Sequence, residues 1–521
     1  MRPYGTVKRV DCTVCEQYNI ARSALRAKST LLTECRILAG DSNGDRGPYS
    51  LNSMKITFYG GARSVTGSNY MLDSGAVKML VDCGLNQGTK YAEDLNYQPF
   101  NYNPEEIDYV FVTHSHIDHI GRLPKLFKDG FRGKIYTTTA TRDLMAVALP
   151  DNMKQIQQEA KENGHAPLFE QKDLDGLMSL VQGINYYEPI DLGNGVKVIF
   201  HDAGHILGSS IVEIQWKSKS QIPNPKSRIN GEGVKKIFFS GDLGNPPTPL
   251  LRPNDTISGA DYVVVESAYG DRVHEAREER RGKLISAIED TIKRGGVLMI
   301  PSFAVERTQE LLFELNEFFN ANRIPKVPIF IDSPLAIKMT AVYQRHPECF
   351  NKEAVYLIRS GDDIFNFPGL KMTATTEESK MINDIPPPKI IIAGSGMSQG
   401  GRILHHEIRY LPDPKSAILF VGYQVDGSLG RRIQKGDKEV RILGQSVPVN
   451  CRVENLSGYS AHADQPGLLK WVASSKHEGG EPQEVFVVQG EEEAAGTLAS
   501  LVHDNLGINA VAPQAGDSFE L

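Results

Sequence analysis

Val110-Phe-Val-Thr-His-Ser-His-Ile-Asp-His119 is the stretch on which the reading of this chain turns. The apolar run Tyr109 to Val112 has the length and composition of a buried strand. It leads into His114, His116, Asp118 and His119, three imidazoles and a carboxylate within six residues. Packing alone does not call for such a density of ligating side chains. Alternate residues of an extended segment share a face, so His114 and His116 project to one side. Asp118 and His119 follow where the chain turns toward Ile120-Gly-Arg-Leu-Pro-Lys-Leu126, read as a helix start with Asp118 as its N-cap. Two ligand groups facing different directions suit two metal ions. Imidazole with carboxylate favours zinc, with manganese or iron as alternatives.

Three more residues share the setting of that cluster. Asp82 closes the strand Val77 to Val81, His205 follows Val196 to His201, and Asp242 follows Ile237 to Ser240. Each stands in a glycine-bearing loop after an apolar strand, and strand ends gathered on one sheet edge are where a site is built. A consistent division gives His114, His116 and His205 to a first metal and Asp118 and His119 to a second, with Asp242 bridging. Asp82 then either holds a bridging water or orients a ligand from behind.

The remainder of the chain sets bounds. At 521 residues it is too long for one core, so two or more domains are expected. Hydrophobic content of 40% and charged content of 23% are those of a soluble globular protein. No apolar run of about eighteen residues is present, so no membrane partner is expected. There is no signal-peptide core. Six cysteines over this length make no disulfide framework, and Cys83, Cys349 and Cys451 read as buried thiols. These points indicate the cytoplasm. A net charge of −7 argues against a general attraction for nucleic acid but leaves room for a locally basic cleft.

Residues 1–53 read as a disordered appendage, with Met54 as the start of the folded protein. Cys12 and Cys15 there form a CxxC that lacks the further ligands of a zinc site. Asn69 to Leu72 and Val77 to Val81 read as a hairpin. Thr141 to Leu149 and Asp151 to Glu162 read as helices. The loop from Lys217 to Lys236 carries six basic residues against Glu232 and reads as solvated. After Glu266, strands alternate with helices, which indicates a parallel α/β domain. Residues 360–388 read as surface helix and loop.

The pattern HxHxDH, preceded by Asp82 and followed by His205 and Asp242, resembles the metallo-β-lactamase superfamily. Five later motifs narrow the match. Val265-Glu-Ser-Ala-Tyr-Gly-Asp271, Pro301-Ser-Phe-Ala-Val-Glu-Arg-Thr-Gln-Glu310, Asp332-Ser-Pro-Leu335, Gly394-Ser-Gly-Met-Ser-Gln-Gly-Gly-Arg402 and Ser460-Ala-His-Ala-Asp464 are similar to those of the β-CASP nucleases. That family includes the nuclease subunit of the eukaryotic pre-mRNA cleavage machinery and its prokaryotic relatives. The resemblance covers Met54 to Leu521. It implies an α/β protein, an αββα sandwich formed by residues 54–267 and 447–521, with a parallel α/β β-CASP domain, 268–446, inserted into it.

The resemblance also implies roles. The catalytic set is Asp82, Asp118, Glu266 and His462, with Glu266 holding the His462 imidazole that serves as general acid. The substrate set is Ser333, Ser395, Gly396, Gly400, Gly401 and Arg402. The Gly394–Arg402 turn would offer a nest of N–H groups to phosphate and Arg402 a forked cation. His405 and His406 beside it read as helix-surface residues. Two departures stand out. Ala268 replaces a frequent threonine. Gln489, after Val485 to Val488, replaces a histidine that ligates the second metal in many relatives, leaving at most a weak ligand.

The function this implies is a zinc-dependent ribonuclease, an endonuclease in its first form, with two metal sites and manganese as an alternative. It would cut single-stranded RNA by a metal-bridged hydroxide, with His462 protonating the leaving group. Its expected partners are single-stranded RNA and a second copy of the chain in a homodimer. The alternatives are a catalytically weak RNA-binding partner of a nuclease and a small-substrate metallo-hydrolase.

Overall fold

Alternation along the strands explains the layers. Phe111 points to one side of its strand, while Val110 and Val112 point to the other. In the computed structural model, which describes residues 54–217, 233–274, 277–422, 424–425, 427–476 and 480–521, Phe111 faces a second sheet. Val110 and Val112 meet helices. The CxxC, the appendage and most of the basic loop lie outside the described residues.

The first sheet has seven strands, in the spatial order Ser518–Glu520, Lys55–Gly60, Asn69–Asp73, Lys78–Val81, Tyr109–Phe111, Lys134–Thr138 and Val181–Ile184. The second also has seven: Ala510–Val511, Glu484–Val488, Tyr262–Glu266, Val234–Phe239, Ser210–Lys217, Val196–Asp202 and Ile190–Gly193. Between them lies an aromatic-rich core of Phe58, Tyr70, Phe111, Phe200, Trp216, Phe239 and Phe486. The alternate residues Val263, Val265, Val485 and Val487 face outward onto Leu468, Trp471 and Leu498 of helices Gln465–Ser474 and Glu492–Leu506. The result is the expected αββα sandwich.

A third sheet of six strands is parallel throughout, in the order Leu370–Met372, Ile329–Ile331, Lys389–Ala393, Val297–Pro301, Ala417–Phe420 and Arg452–Asn455. Both its faces are buried: Leu298, Ile300, Ile390 and Ile392 on one, Val297, Met299, Ile391 and Ala393 on the other. All six strands fall between Tyr262–Glu266 and Glu484–Val488, which are direct parallel neighbours in the second sheet. The parallel α/β unit is therefore an insertion between two adjacent strands of the sandwich. Glu266 ends its strand opposite Val488, next to Gln489.

Local readings differ from the structure in three places. Thr139–Asn163 is one helix with Pro150 inside it, because Met145, Leu149, Met153 and Ile156 form a continuous buried stripe across the proline. Residues 360–388 are more than surface: Ile364, Phe365 and Phe367 are buried, and Leu370–Met372 joins the third sheet. Three residues are too few to show a period. His406 is buried on Ile403–Tyr410, bonded to Asp332 at 2.8 Å, and is no surface residue. Cys83, Cys349 and Cys451 are free and buried, as read. Among the described residues no helix is long and apolar enough to cross a membrane.

Phe239→Ala, which empties ring volume between the two sheets, should lower stability by about 3–5 kcal/mol. Tyr356→Ala, at a position 71% exposed, should stay within about 0.5 kcal/mol. The midpoints of urea unfolding check both.

Candidate metal centre

The strand Tyr109–Phe111 delivers Thr113 to His116 to the sheet edge, and the chain then turns into the short helix Ile117–Ile120. The N-cap is His116, with extended backbone, and not Asp118, which lies in the first turn. The turn begins before the position read from sequence, and the Asp118 carboxylate faces the site instead of serving as a cap. Gly84 makes this possible. A Cβ there would lie 1.5 Å from the Asp118 carbonyl oxygen, so only glycine lets the two loops meet.

Two ligand sets converge around Asp242. His114 Nε2 is 3.0 Å from His116 Nδ1, and His205 Nε2 is 3.2 Å from the same atom. Asp242 Oδ2 lies 3.3 Å from His114 Nε2 and 3.5 Å from His205 Nε2. One donor atom from each of these four residues fits within 4.8 Å. The other oxygen, Asp242 Oδ1, is 3.4 Å from His119 Nε2, which is 3.7 Å from Asp118 Oδ2. Asp242 thus turns one oxygen to each set. Its Oδ1 is buried and accepts no hydrogen bond from the protein, as suits a metal-facing oxygen. Burial, first of all, pushes the imidazoles of His114, His116 and His205 down, toward the neutral form that binds metal. Asp242 is held well below the usual carboxylate range, because His119 and His114 outweigh the effect of its burial. The donor set fits a divalent metal.

Asp82 stands behind this set. Its Oδ2 is 2.7 Å from His119 Nδ1 and accepts from Thr113 Oγ1 at 2.8 Å, and its Oδ1 accepts from the Thr113 N–H at 2.8 Å. Both oxygens are engaged. Oδ2 meets His119 on the nitrogen turned away from Asp242, the side from which a carboxylate can orient the ring.

Gln489 reaches the second set with its amide nitrogen. Nε2 is 3.1 Å from His119 Nε2 and 3.2 Å from Asp118 Oδ2. The same nitrogen donates to the Val65 carbonyl at 3.1 Å, and Oε1 accepts from the Tyr70 hydroxyl at 3.4 Å. These partners turn an NH₂, which cannot ligate a metal, toward Asp118 and His119.

Glu266 and His462 form a dyad at the rim. His462 Nδ1 is 3.1 Å from Glu266 Oε2 and 3.3 Å from Oε1, and Leu243 N–H donates to Oε1 at 2.6 Å. The ring centroid of His462 is 4.5 Å from that of His205. Burial works against a charge on His462, but Glu266 and Asp242 prevail and carry it up to about 9. Glu266 is fully buried, and its burial raises its own pKa.

The loop that presents His462 is held by residues with no motif to announce them. The buried Tyr459 hydroxyl bonds Glu314, Arg280 Nη1 donates to the Gly458 carbonyl at 2.6 Å, and the Arg280 guanidinium lies 4.3 Å from the Tyr459 ring centroid. His274, also missed, contacts the His462 carbonyl through Nε2 at 3.1 Å. Thr113 could have been suspected from its place beside His114.

The residues read as a substrate set lie at the carboxyl ends of the third sheet, and three of their side chains do other work. Arg402 Nη1 pairs with Asp332 at 2.7 Å and donates to the Thr373 carbonyl at 2.9 Å. The expected free cation is therefore engaged. The nest is largely closed on itself: Ser395 N–H donates to the Gly400 carbonyl, and the Gln399 and Gly400 N–H groups donate to Ser395 Oγ, at 3.0, 3.0 and 3.1 Å. Ser333 caps helix Pro334–Tyr343, and Gly396 and Gly401 line the same turn.

Three family models match the chain: a metallo-beta-lactamase superfamily domain at residues 71–232, a Beta-Casp domain at 308–433, and a Zn-dependent metallo-hydrolase RNA specificity domain at 446–513. Ribonuclease TTHA0252 of Thermus thermophilus is 39% identical over 86% of this chain and 96% of its own length. The chain belongs to the β-CASP ribonuclease family. Transcription termination factor FttA of Pyrococcus horikoshii is 34% identical over 91% of this chain and 72% of its own. FttA of Methanosarcina mazei is 33% identical over 87% and 70%. A protein of unknown function from Enterococcus faecalis, 12% identical, shares the fold at a TM-score of 0.50 over 90% of this chain and all of its own.

Asp82→Ala should leave the fold intact and weaken divalent-metal binding by about 10- to 100-fold, because His119 loses the partner that sets its tautomer and direction. Calorimetric titration of metal-stripped protein checks it, and an unchanged affinity would contradict the role given to Asp82.

Proposed function

We propose that this protein is a zinc-dependent endoribonuclease acting on single-stranded RNA, with His462 as general acid. The observation that carries this is the Glu266–His462 dyad placed against the His114, His116, His205 and Asp242 cluster. Three imidazoles and a carboxylate suit zinc. A divalent metal held there, with a second held by Asp118, His119 and Asp242, would supply Lewis-acid charge and a water of lowered pKa. The protein's own groups do the rest. Glu266 engages His462 Nδ1, which leaves Nε2 as the nitrogen able to give a proton to the departing oxygen of the strand. Asp82 keeps the His119 ring in place. The names of the relatives and the match to an RNA specificity domain support RNA as the substrate class. The inserted parallel domain, read from sequence as residues 268–446 but with its sixth strand at Arg452–Asn455, would cap the metal edge and favour a strand over a small molecule.

A second reading is favoured by one observation, the NH₂ of Gln489 facing Asp118 and His119. It is an RNA-binding protein with slow catalysis, its second metal weakly held. Both readings place the protein in the cytoplasm.

Purified protein with added zinc or manganese should cut internally labelled RNA into fragments, read on a gel beside end-labelled RNA. Asp118→Ala and His119→Ala should abolish cleavage, and His462→Ala should slow it ~10²-fold or more. Glu266→Gln removes the charge that raises the pKa of His462, so less of the acid is protonated at high pH. The alkaline limb of the rate profile should move to lower pH. Wild-type rates for His462→Ala would end its assignment as the acid.

Gln489→His should add a nitrogen ligand to the second set. Wild-type protein should bind one zinc tightly and a second more weakly, and Gln489→His should tighten the second and lower the metal needed for half-maximal cleavage. Identical metal titrations of the two proteins would show that Gln489 does not weaken the site.

A further inference from the structure

The third sheet contains a topological switch point that the metal chemistry does not use. Val297–Pro301 and Lys389–Ala393 are parallel neighbours, with Pro301 opposite Ala393. Their chains leave in opposite directions. The first continues through helix Arg307–Asn320 to Ile329–Ile331, on the far side of Lys389–Ala393. The second continues through Ile403–Tyr410 to Ala417–Phe420, on the far side of Val297–Pro301. Such divergence opens a crevice at the carboxyl ends of the strands, where α/β sheets bind ligands.

Two segments border the crevice, Ser302 to Ala304 and Gly394 to Arg402. The first exposes an aromatic ring: Phe303 is 44% exposed, although its neighbours in the strand are buried. The backbone beneath the ring is fixed, because the Phe303 carbonyl accepts from Thr308 Oγ1 at 2.6 Å. One flank of the ring lies on Gly396. A Cβ at Gly396 would be 2.7 Å from Phe303 Cδ2 and 3.0 Å from Cγ, so glycine is required for the loop to close against the ring. Gln424 Nε2 donates to the Gly396 carbonyl at 2.9 Å, and the next residue, Val425, is 40% exposed. The crevice therefore presents a supported aromatic surface, and Arg402, at the end of the same loop, is already paired with Asp332. Arg307, at the start of the next helix, lies 5.4 Å from the ring centroid of Tyr459, which precedes His462 in the same loop.

We propose that Phe303 is a base-stacking platform that takes the face of one nucleobase of a single-stranded RNA lying across the Gly394–Arg402 loop. This rests on the reading of RNA as the substrate. Every base offers a π-face, so such a contact holds a strand without selecting its sequence. With Arg402 engaged by Asp332, stacking rather than ion pairing would carry the affinity at this point. A protein partner is the poorer occupant. The two exposed side chains, Phe303 and Val425, fall far short of the roughly 800 Å² per partner of a stable interface.

The test is the affinity of the full chain for fluorescent single-stranded oligoribonucleotides, measured by anisotropy in EDTA so that the strand stays whole. A single abasic site is moved along the strand. In wild type one abasic position should weaken binding by about 10-fold, the worth of one stacked base. Phe303→Ala should weaken binding of intact RNA by a similar factor and show no further loss at that position. Phe303→Tyr should bind as wild type. An unchanged affinity in Phe303→Ala, or losses that multiply when the two changes are combined, would overturn the proposal and leave the patch to a protein partner. RNA bound with the expected pattern but not cut when metal is restored would support Phe303 and defeat the nuclease reading. RNA cut by wild type and bound equally well by Phe303→Ala would do the reverse.

Discussion

The carboxylate of Asp242 is the point on which the centre depends. It is buried, one oxygen faces His114 and His205, and the other faces His119 with no hydrogen-bond donor. A buried carboxylate is costly unless positive charge surrounds it. Here that charge can come from imidazoles or from a metal, and the architecture can be read as the means of bringing both to one oxygen pair. Asp242 follows the strand Val234–Phe239, whose parallel neighbour ends in Glu266 and whose antiparallel neighbour starts at Ser210, just after the His205 loop. Sheet pairing therefore sets the spacing of Asp242, His205 and Glu266.

The inserted domain is tied to this edge from its own side. Helices Arg277–Lys293 and Arg307–Asn320 send Arg280, Arg307 and Glu314 to the loop that presents His462. Burying these charges is tolerable because Arg280 pairs with Glu314, Arg307 pairs with Glu310, and Glu314 also accepts from the Tyr459 hydroxyl. His462 thus takes its position from both parts of the molecule: Glu266 belongs to the sandwich, and Arg280 and Glu314, which hold Gly458 and Tyr459, belong to the insertion. A shift between the two would move His462 relative to the cluster of His114, His116, His205 and Asp242.

Much of this was legible in the chain. The strand of Val110 and its histidines, the hairpin around Asp73 to Ala76 and the alternating strands after Glu266 all show as local periodicity. Asp82, His205 and Asp242 were legible as acids and imidazole at strand tips. What was illegible had partners far away in sequence. Leu370–Met372 becomes a strand only because Ile329–Ile331 lies beside it. His406, on an otherwise mixed helix, is drawn inside by Asp332. Arg402 reads as a free cation until Asp332 and Thr373 are placed around it.

By itself the sequence determined which atoms are available: the imidazoles and carboxylates at the strand ends and their spacing, the imidazole of His462 and the carboxylate of Glu266, and an amide at Gln489. Tertiary structure decided their use. It gave Asp82 to His119, turned the Gln489 nitrogen toward Asp118 through Val65 and Tyr70, and left the Phe303 ring open against Gly396. The physical reason is the range of the interactions. Side-chain chemistry and strand periodicity are properties of neighbouring residues. The direction of a hydrogen bond, and whether a ring or a charge stays exposed, depends on groups that only folding brings near.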